Sequence, residues 1–161
     1  MTCERMSPTT RAEALELLAA FLTEDVHYLA SSAVYGDGGR AAIERALDLF
    51  IARPELGFVW LARSRDPSAA NRIAVGACVV CYAISTSRGA LVAKLDDVSV
   101  RAGWQGRGIG TAMLQALAHE LRHSGLTRID TACHRDNARA WRFYEGLGFH
   151  SLHEERIALL L

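Results

Sequence analysis

The chain has 161 residues, half of them hydrophobic and 22% charged, which suits one folded domain with its own core and sets aside a disordered chain. Its 18 basic and 18 acidic residues cancel, so it lacks the positive excess by which nucleic-acid binders neutralise phosphates. No apolar run approaches about 20 residues and no apolar stretch follows a basic start, so neither a membrane span nor a secretory leader is expected, and the protein is expected to be cytoplasmic.

Residues 1–6 offer a short edge strand. Residues 11–22 read as an amphipathic helix, with Leu15, Leu18 and Leu22 at helical spacing and Thr9 or Thr10 as its cap. Residues 23–39 form a polar connection containing Tyr28, Tyr35 and Asp37. Residues 40–51 make a second helix on Ile43, Leu47 and Phe50, stopped by Pro54. Strands follow at 58–63, 73–84 and 90–100, the first two joined by a turn at 66–71. A glycine-rich corner leads into a helix from Gly108 to about His123, which Gly125 ends. The chain closes with a strand at 126–133, a helix at 137–147 and a strand at 155–161. This order predicts an α/β (α+β) domain spanning residues 1–161, with one mixed sheet and helices packed on it.

Cys78 and Cys81 spell C-x-x-C, a spacing used by zinc and redox sites. Both lie in a strand, where positions three apart face opposite sides, so they cannot share a metal and are expected to be core residues. With no secretory leader, all four cysteines are expected to be free thiols.

Residues 98–111 carry the strongest signal. A strand ends, glycines follow at 106, 108 and 110, and a helix begins. Unpaired amide N–H groups and the positive end of the helix dipole make such a corner an anion site, suited to a phosphate or pyrophosphate. It is not a Walker loop, because Ile109 stands where the lysine belongs. It is not the dinucleotide fingerprint either, because Thr111 replaces the third glycine. The pattern that fits is Q-x-x-G-x-G, formed by Gln105, Gly108 and Gly110. A second segment, residues 137–149, reads N-x-x-A-x-x-F-Y-x-x-x-G-F and sets Asn137, Ala140 or Trp141, and Tyr144 along one helix stripe.

The two segments, in this order and with a strand between them, resemble the signatures of the GNAT superfamily of acyl-CoA-dependent N-acetyltransferases. The resemblance covers residues 90–150. It implies a mixed, mostly antiparallel sheet with helices on both faces, and acetyl transfer from acetyl-CoA to a primary amine by direct attack in a ternary complex. It further implies that backbone groups of Val98 and Val100 hold the pantetheine arm. The amides from Gly106 through Arg107, Gly108 and Gly110 to Thr111 would hold the pyrophosphate, with Gln105 in the motif and Asn137 binding the cofactor. Tyr144 would protonate the departing thiolate; a phenol of pKa about 10 is protonated at neutral pH. The partner is a small-molecule or peptide amine, and a homodimer is compatible with the resemblance.

An amine substrate also needs a base. The run 95–100 is similar to the acid-containing strand of diamine acetyltransferases in the superfamily, which favours Asp96, with Asp97 second and His134 a further candidate. A carboxylate that merely caps a turn or pairs with an arginine is the competing reading.

Two other functions are compatible with parts of the sequence. His119 to His123 spell H-E-x-x-H, the zinc-peptidase pattern. The helix buries Met113, Leu114, Leu117 and Leu121, however, which turns both histidines towards solvent, so no metal site is expected. A non-catalytic acyl-CoA-binding sensor would keep the fold and lose the chemistry; Tyr144 speaks against it.

Overall fold

Along Phe58–Ala62 every residue is buried, and successive side chains enter opposite sides of the sheet. Phe58, Trp60 and Ala62 join one apolar cluster, whereas Val59 and Leu61 join another. A strand buried on both faces requires helices on both faces, and the computed structural model shows them. It describes residues 1–24, 39–65, 71–154 and 157–159.

The elements in chain order are β1 (Thr2–Arg5), α1 (Arg11–Glu24), α2 (Gly39–Ala52), β2 (Gly57–Arg65), β3 (Arg72–Ser85), β4 (Ala90–Val100), α3 (Ile109–His123), β5 (Ile129–Thr131) and α4 (Ala138–Glu145). The five strands lie in sequence order in one sheet. The first four pair antiparallel and β5 joins β4 in parallel. α1 and α2 cover one face with Leu15, Leu18, Ile43 and Leu47. α3 covers the other with Ile109, Met113, Leu114, Leu117 and Leu121, and Phe143 and Tyr144 of α4 pack beside it. Cys78 is buried in the α3 cluster and Cys81 packs on the α1 cluster, so the two thiols do lie on opposite faces, and all four cysteines are free.

Arg63 joins three elements, since its guanidinium reaches Glu4 at 3.1 Å and Glu13 at 2.7 Å. Glu13 in turn accepts a hydrogen bond from the Ala74 amide at 2.5 Å. The Thr10 side chain does not cap α1 by reaching forward; its hydroxyl accepts from the Ser7 N–H at 2.9 Å.

Two expected strands differ. Residues 126–133 yield only Ile129–Thr131. Leu126 belongs to the end of α3 instead, its N–H bonding Leu121 O at 2.9 Å and its side chain buried in the core. The strand expected at 155–161 is not formed over 157–159, where Ile157 and Leu159 are 91% and 85% exposed. Residues 155–156 and 160–161, the turn at 66–70, and Tyr28, Tyr35 and Asp37 lie outside the described residues.

Gly57 opens β2 at φ 152°, and a Cβ there would stand 2.0 Å from Val80 O. Gly57→Ala is therefore expected to cost more than about 2 kcal/mol of unfolding free energy, measured by urea denaturation.

Candidate active site

The parallel ladder between β4 and β5 has three pairs: Ala93–Ile129, Lys94–Asp130 and Leu95–Thr131. Past Leu95, β4 runs on to Val100, while the chain after Thr131 leaves the sheet. A bulge sits where the strands part. Ala77 faces Ser99 and Val79 faces Asp96, so Cys78 faces both Asp97 and Val98. Asp97 takes the extra position at φ 53°, a left-handed conformation that aspartate tolerates better than most residues. Strict alternation would place Leu95, Asp97 and Ser99 on one face. The bulge instead puts Leu95, Val98 and Val100 together on the α3 side.

A cleft of about 750 Å3 opens at this parting. Val98, Val100, Gln105, Gly106, Gly108, Gly110, Thr111, Asn137 and Tyr144 all line it. Of the residues expected there, Arg107 stands outside, exposed, its guanidinium 5.2 Å from the centre of the Trp104 ring.

Gly108 ends the corner at φ 74° and makes no side-chain cap for α3. The first intrahelical bond runs from Ala112 N to Gly108 O at 3.0 Å, so the amides of Ile109, Gly110 and Thr111 have no acceptor within the helix. Gly110 serves packing as well, because a Cβ there would lie 3.3 Å from the Phe143 ring. Gln105 braces the corner. Its Nε2 donates to Val100 O at 3.2 Å and its Oε1 accepts from Arg139 at 3.5 Å. Asn137 Oδ1 accepts the Ala140 N–H at 3.0 Å and so caps α4, which leaves its NH2 group as the donor it can offer the cleft.

Tyr144 enters from α4, its ring packed against Phe143 and Phe149 at centroid distances of 5.2 and 5.4 Å. Burial pushes the phenol up to about 12, and hydrogen bonding with the Thr131 side chain opposes that rise.

The candidate bases stand apart from this wall. Neither Asp96, Asp97 nor His134 lines the cleft. Asp96 Oδ2 is 2.9 Å from Lys94 Nζ. His134 is exposed and its Nδ1 accepts from the Asp136 N–H at 3.3 Å.

The cleft also holds residues that the motifs do not flag. Leu17, Ala20 and Phe21 of α1 form one wall, and Arg101, Trp104 and Arg139 contribute to it. In the sequence, the α1 residues look like any apolar helix face. Arg101 and Arg139 are cations beside the two motifs, and that proximity was the available signal. The Ser99 hydroxyl, also in the lining, is buried without a hydrogen-bond partner among the described residues.

His119 and His123 stack at 4.3 Å on the solvent side of α3, and Glu120 pairs with Arg5 at 3.0 Å. Among the described residues no group of three side chains suits a metal ion.

The raised phenol makes a thermodynamic prediction. The folded protein holds the Tyr144 proton more tightly than the unfolded chain, whose tyrosine titrates near pH 10. Its contribution to stability is complete below that pH and is lost as pH rises through the folded value of about 12. Wild type should therefore lose more stability than Tyr144→Phe across this window, as read by urea unfolding.

A family model described as the acetyltransferase (GNAT) family matches residues 43–149. No curated protein sequence matches the chain. Among solved structures, a probable acetyltransferase aligns with a TM-score of 0.79 at 17% identity, over 100% of this chain and 97% of its own. An acetyltransferase from Trypanosoma brucei aligns at 0.69 with 22% identity, over 99% of each chain. Glucosamine-6-phosphate N-acetyltransferase from Arabidopsis thaliana aligns at 0.68 with 13% identity, over 98% of this chain and 97% of its own. At these identities the likeness establishes a common fold, and the family match spans more than half of the sequence. The chain belongs to the acetyltransferase (GNAT) family and is an acyl-CoA-dependent N-acyltransferase.

Proposed function

We propose that the protein transfers the acetyl group of acetyl-CoA to a primary amine by direct attack in a ternary complex. One observation carries this reading: a single cleft joins the uncapped start of α3 to the Tyr144 side chain, along the unpaired edge of β4. Bound acetyl-CoA supplies a thioester, an activated carbonyl with a thiol as leaving group. Its pantetheine arm suits the backbone of Val98 and Val100, which lies beyond the last β4–β5 pair, although Val100 O already accepts one bond from Gln105. The amides from Gly106 to Thr111 suit the pyrophosphate, with Arg101 and Arg139 adding positive charge to the lining and Arg107 adding it from outside. The NH2 group of Asn137 completes the cofactor side.

Tyr144 is the acid of this mechanism and delivers its proton to the departing sulfur. The base works on the amine, which at pKa about 10.4 is neutral in only about one molecule in a few thousand at pH 7. Asp96 takes this role, close enough to act electrostatically on both Tyr144 and Cys81. Leu17, Ala20 and Phe21 give the acceptor an apolar wall. The four free thiols suit the cytoplasm.

Acetyl-CoA should raise the melting temperature, since it binds only the folded state. Gly108→Glu places a side chain and a negative charge at the anion site and should abolish that shift; an unchanged shift would remove the corner from the binding site. In a thiol-release assay over a panel of amines, Tyr144→Phe should lower kcat by about 100-fold with little change in acetyl-CoA affinity. A full kcat would remove the acid. Asp96→Asn should lose most activity at low pH and recover at high pH, where free amine is abundant; an unchanged pH profile would move the base to His134 or to water.

A further inference from the structure

We propose that the Ser99 hydroxyl is a ligand-binding group that takes its hydrogen-bond partner from the amide-bearing pantetheine arm of acetyl-CoA. The inference rests on the cofactor reading proposed above and adds a side chain to it.

Ser99 stands in the part of β4 that lies beyond its last pair with β5. Across β3 it faces Ala77, which is fully buried in the α1 cluster, so the serine side chain rises on the α1 face. Leu17, Ala20 and Phe21 line the cleft from that helix. The serine backbone is held in place. Two residues on, the Arg101 N–H donates to Val75 O at 2.9 Å, and Arg101 Nε donates to Ala74 O at 3.1 Å. Backbone groups alternate in direction along a strand, so Ser99, like Arg101, turns its N–H and C=O towards β3. Those of Val98 and Val100 then face the opening, as the bond from Gln105 to Val100 O requires.

The hydroxyl is the exception in this well-paired segment. Its oxygen is buried and has no hydrogen-bond partner among the described residues, although Ser99 lines the cleft. A hydroxyl donates once and accepts twice, and burying one with none of these bonds made is costly. That cost is met when the chain folds. A bond formed here therefore displaces no water from the serine, and it adds more to affinity than the same bond to an exposed hydroxyl. Ser99 is half-buried, and a single torsion sets where its oxygen lies. A turn among the staggered positions carries the hydroxyl along the wall towards the opening and breaks no bond.

The place of Ser99 along β4 selects the ligand group. Asp96 is the base proposed at the amine end, and the corner from Gly106 to Thr111 is the pyrophosphate end. Ser99 falls between them, flanked by the two valines whose backbone faces the opening. The stretch of acetyl-CoA between thioester and pyrophosphate is an extended chain with two amides, whose carbonyls accept and whose N–H groups donate. Ser99 meets that chain from the α1 side, while Val98 and Val100 meet it along the strand edge.

The test is calorimetric titration of the full chain and of Ser99→Ala with two ligands. One is acetyl-CoA; the other is adenosine 3′,5′-bisphosphate, which lacks the arm. Ser99→Ala should weaken acetyl-CoA about tenfold and leave the bisphosphate unchanged. In the ligand-free protein the same variant should keep or raise the urea midpoint, because it removes an unpaired polar group; a hydroxyl that served the fold would lower it on removal. Unchanged acetyl-CoA affinity, an equal loss for both ligands, or a lowered ligand-free midpoint overturns the inference. A raised amine KM at unchanged acetyl-CoA affinity would hand the hydroxyl to the acceptor and overturn it too. A wild-type protein that binds no acetyl-CoA overturns the cofactor reading itself, before any substitution is made.

Discussion

The divergence of β4 from β5 is the constraint on which the site depends. Only three residue pairs hold the two strands together. After them, the bulge at Asp97 bends one strand and the chain beyond Thr131 turns away on the other side. β4 is thereby an inner strand at Ala93 and an edge strand at Val100. An edge in that position leaves backbone N–H and C=O groups facing a cavity, where an extended ligand can pair with them as another strand would. A continuous β4–β5 ladder would close the cleft and bury those groups.

What frames the opening is braced from both sides. α3 brings its uncapped start to one end of the cleft and α4 brings Tyr144 to the other. The two helices touch where Gly110 admits the Phe143 ring. Gln105 repeats the link, tied to β4 through Val100 O and to α4 through Arg139. The distance from the start of α3 to the phenol is therefore set by packing between the two motif segments. Several motif residues serve this framework as well as the cleft: Asn137 caps α4, and Gln105 fastens the corner to its strand.

Much of this was legible in the sequence because it follows from periodicity and local stereochemistry. The apolar spacing of Ile43 and Leu47, or of Met113, Leu117 and Leu121, predicts helices that the structure contains within a residue or two. Strand 90–100 has the expected bounds. The errors come from effects that only tertiary structure reveals. Leu126 looks like the start of a strand, but it is the apolar residue that closes α3 over the core. The apolar run at 157–161 suggests a strand, yet none forms over 157–159, where Ile157 and Leu159 are exposed. The bulge at Asp97 leaves no mark in the sequence beyond two successive aspartates, and it invalidates any face assignment made by counting across it.

The pairing of Lys94 with Asp96 has one more consequence. Lys94 is the sole lysine of the chain. A protein that gathers thioesters is also exposed to them, and lysine amines at its surface are the groups they modify. Guanidinium groups remain protonated and do not attack thioesters under ordinary conditions. With its other basic side chains supplied by arginine and histidine, the surface keeps its charge however long it works beside activated acyl groups. The lysine that could be modified has its ammonium held 2.9 Å from a carboxylate, an ion pair that acylation of the nitrogen would break. In this protein self-acylation on lysine has a single address, and losing that amine's charge would also release Asp96 from its ion pair.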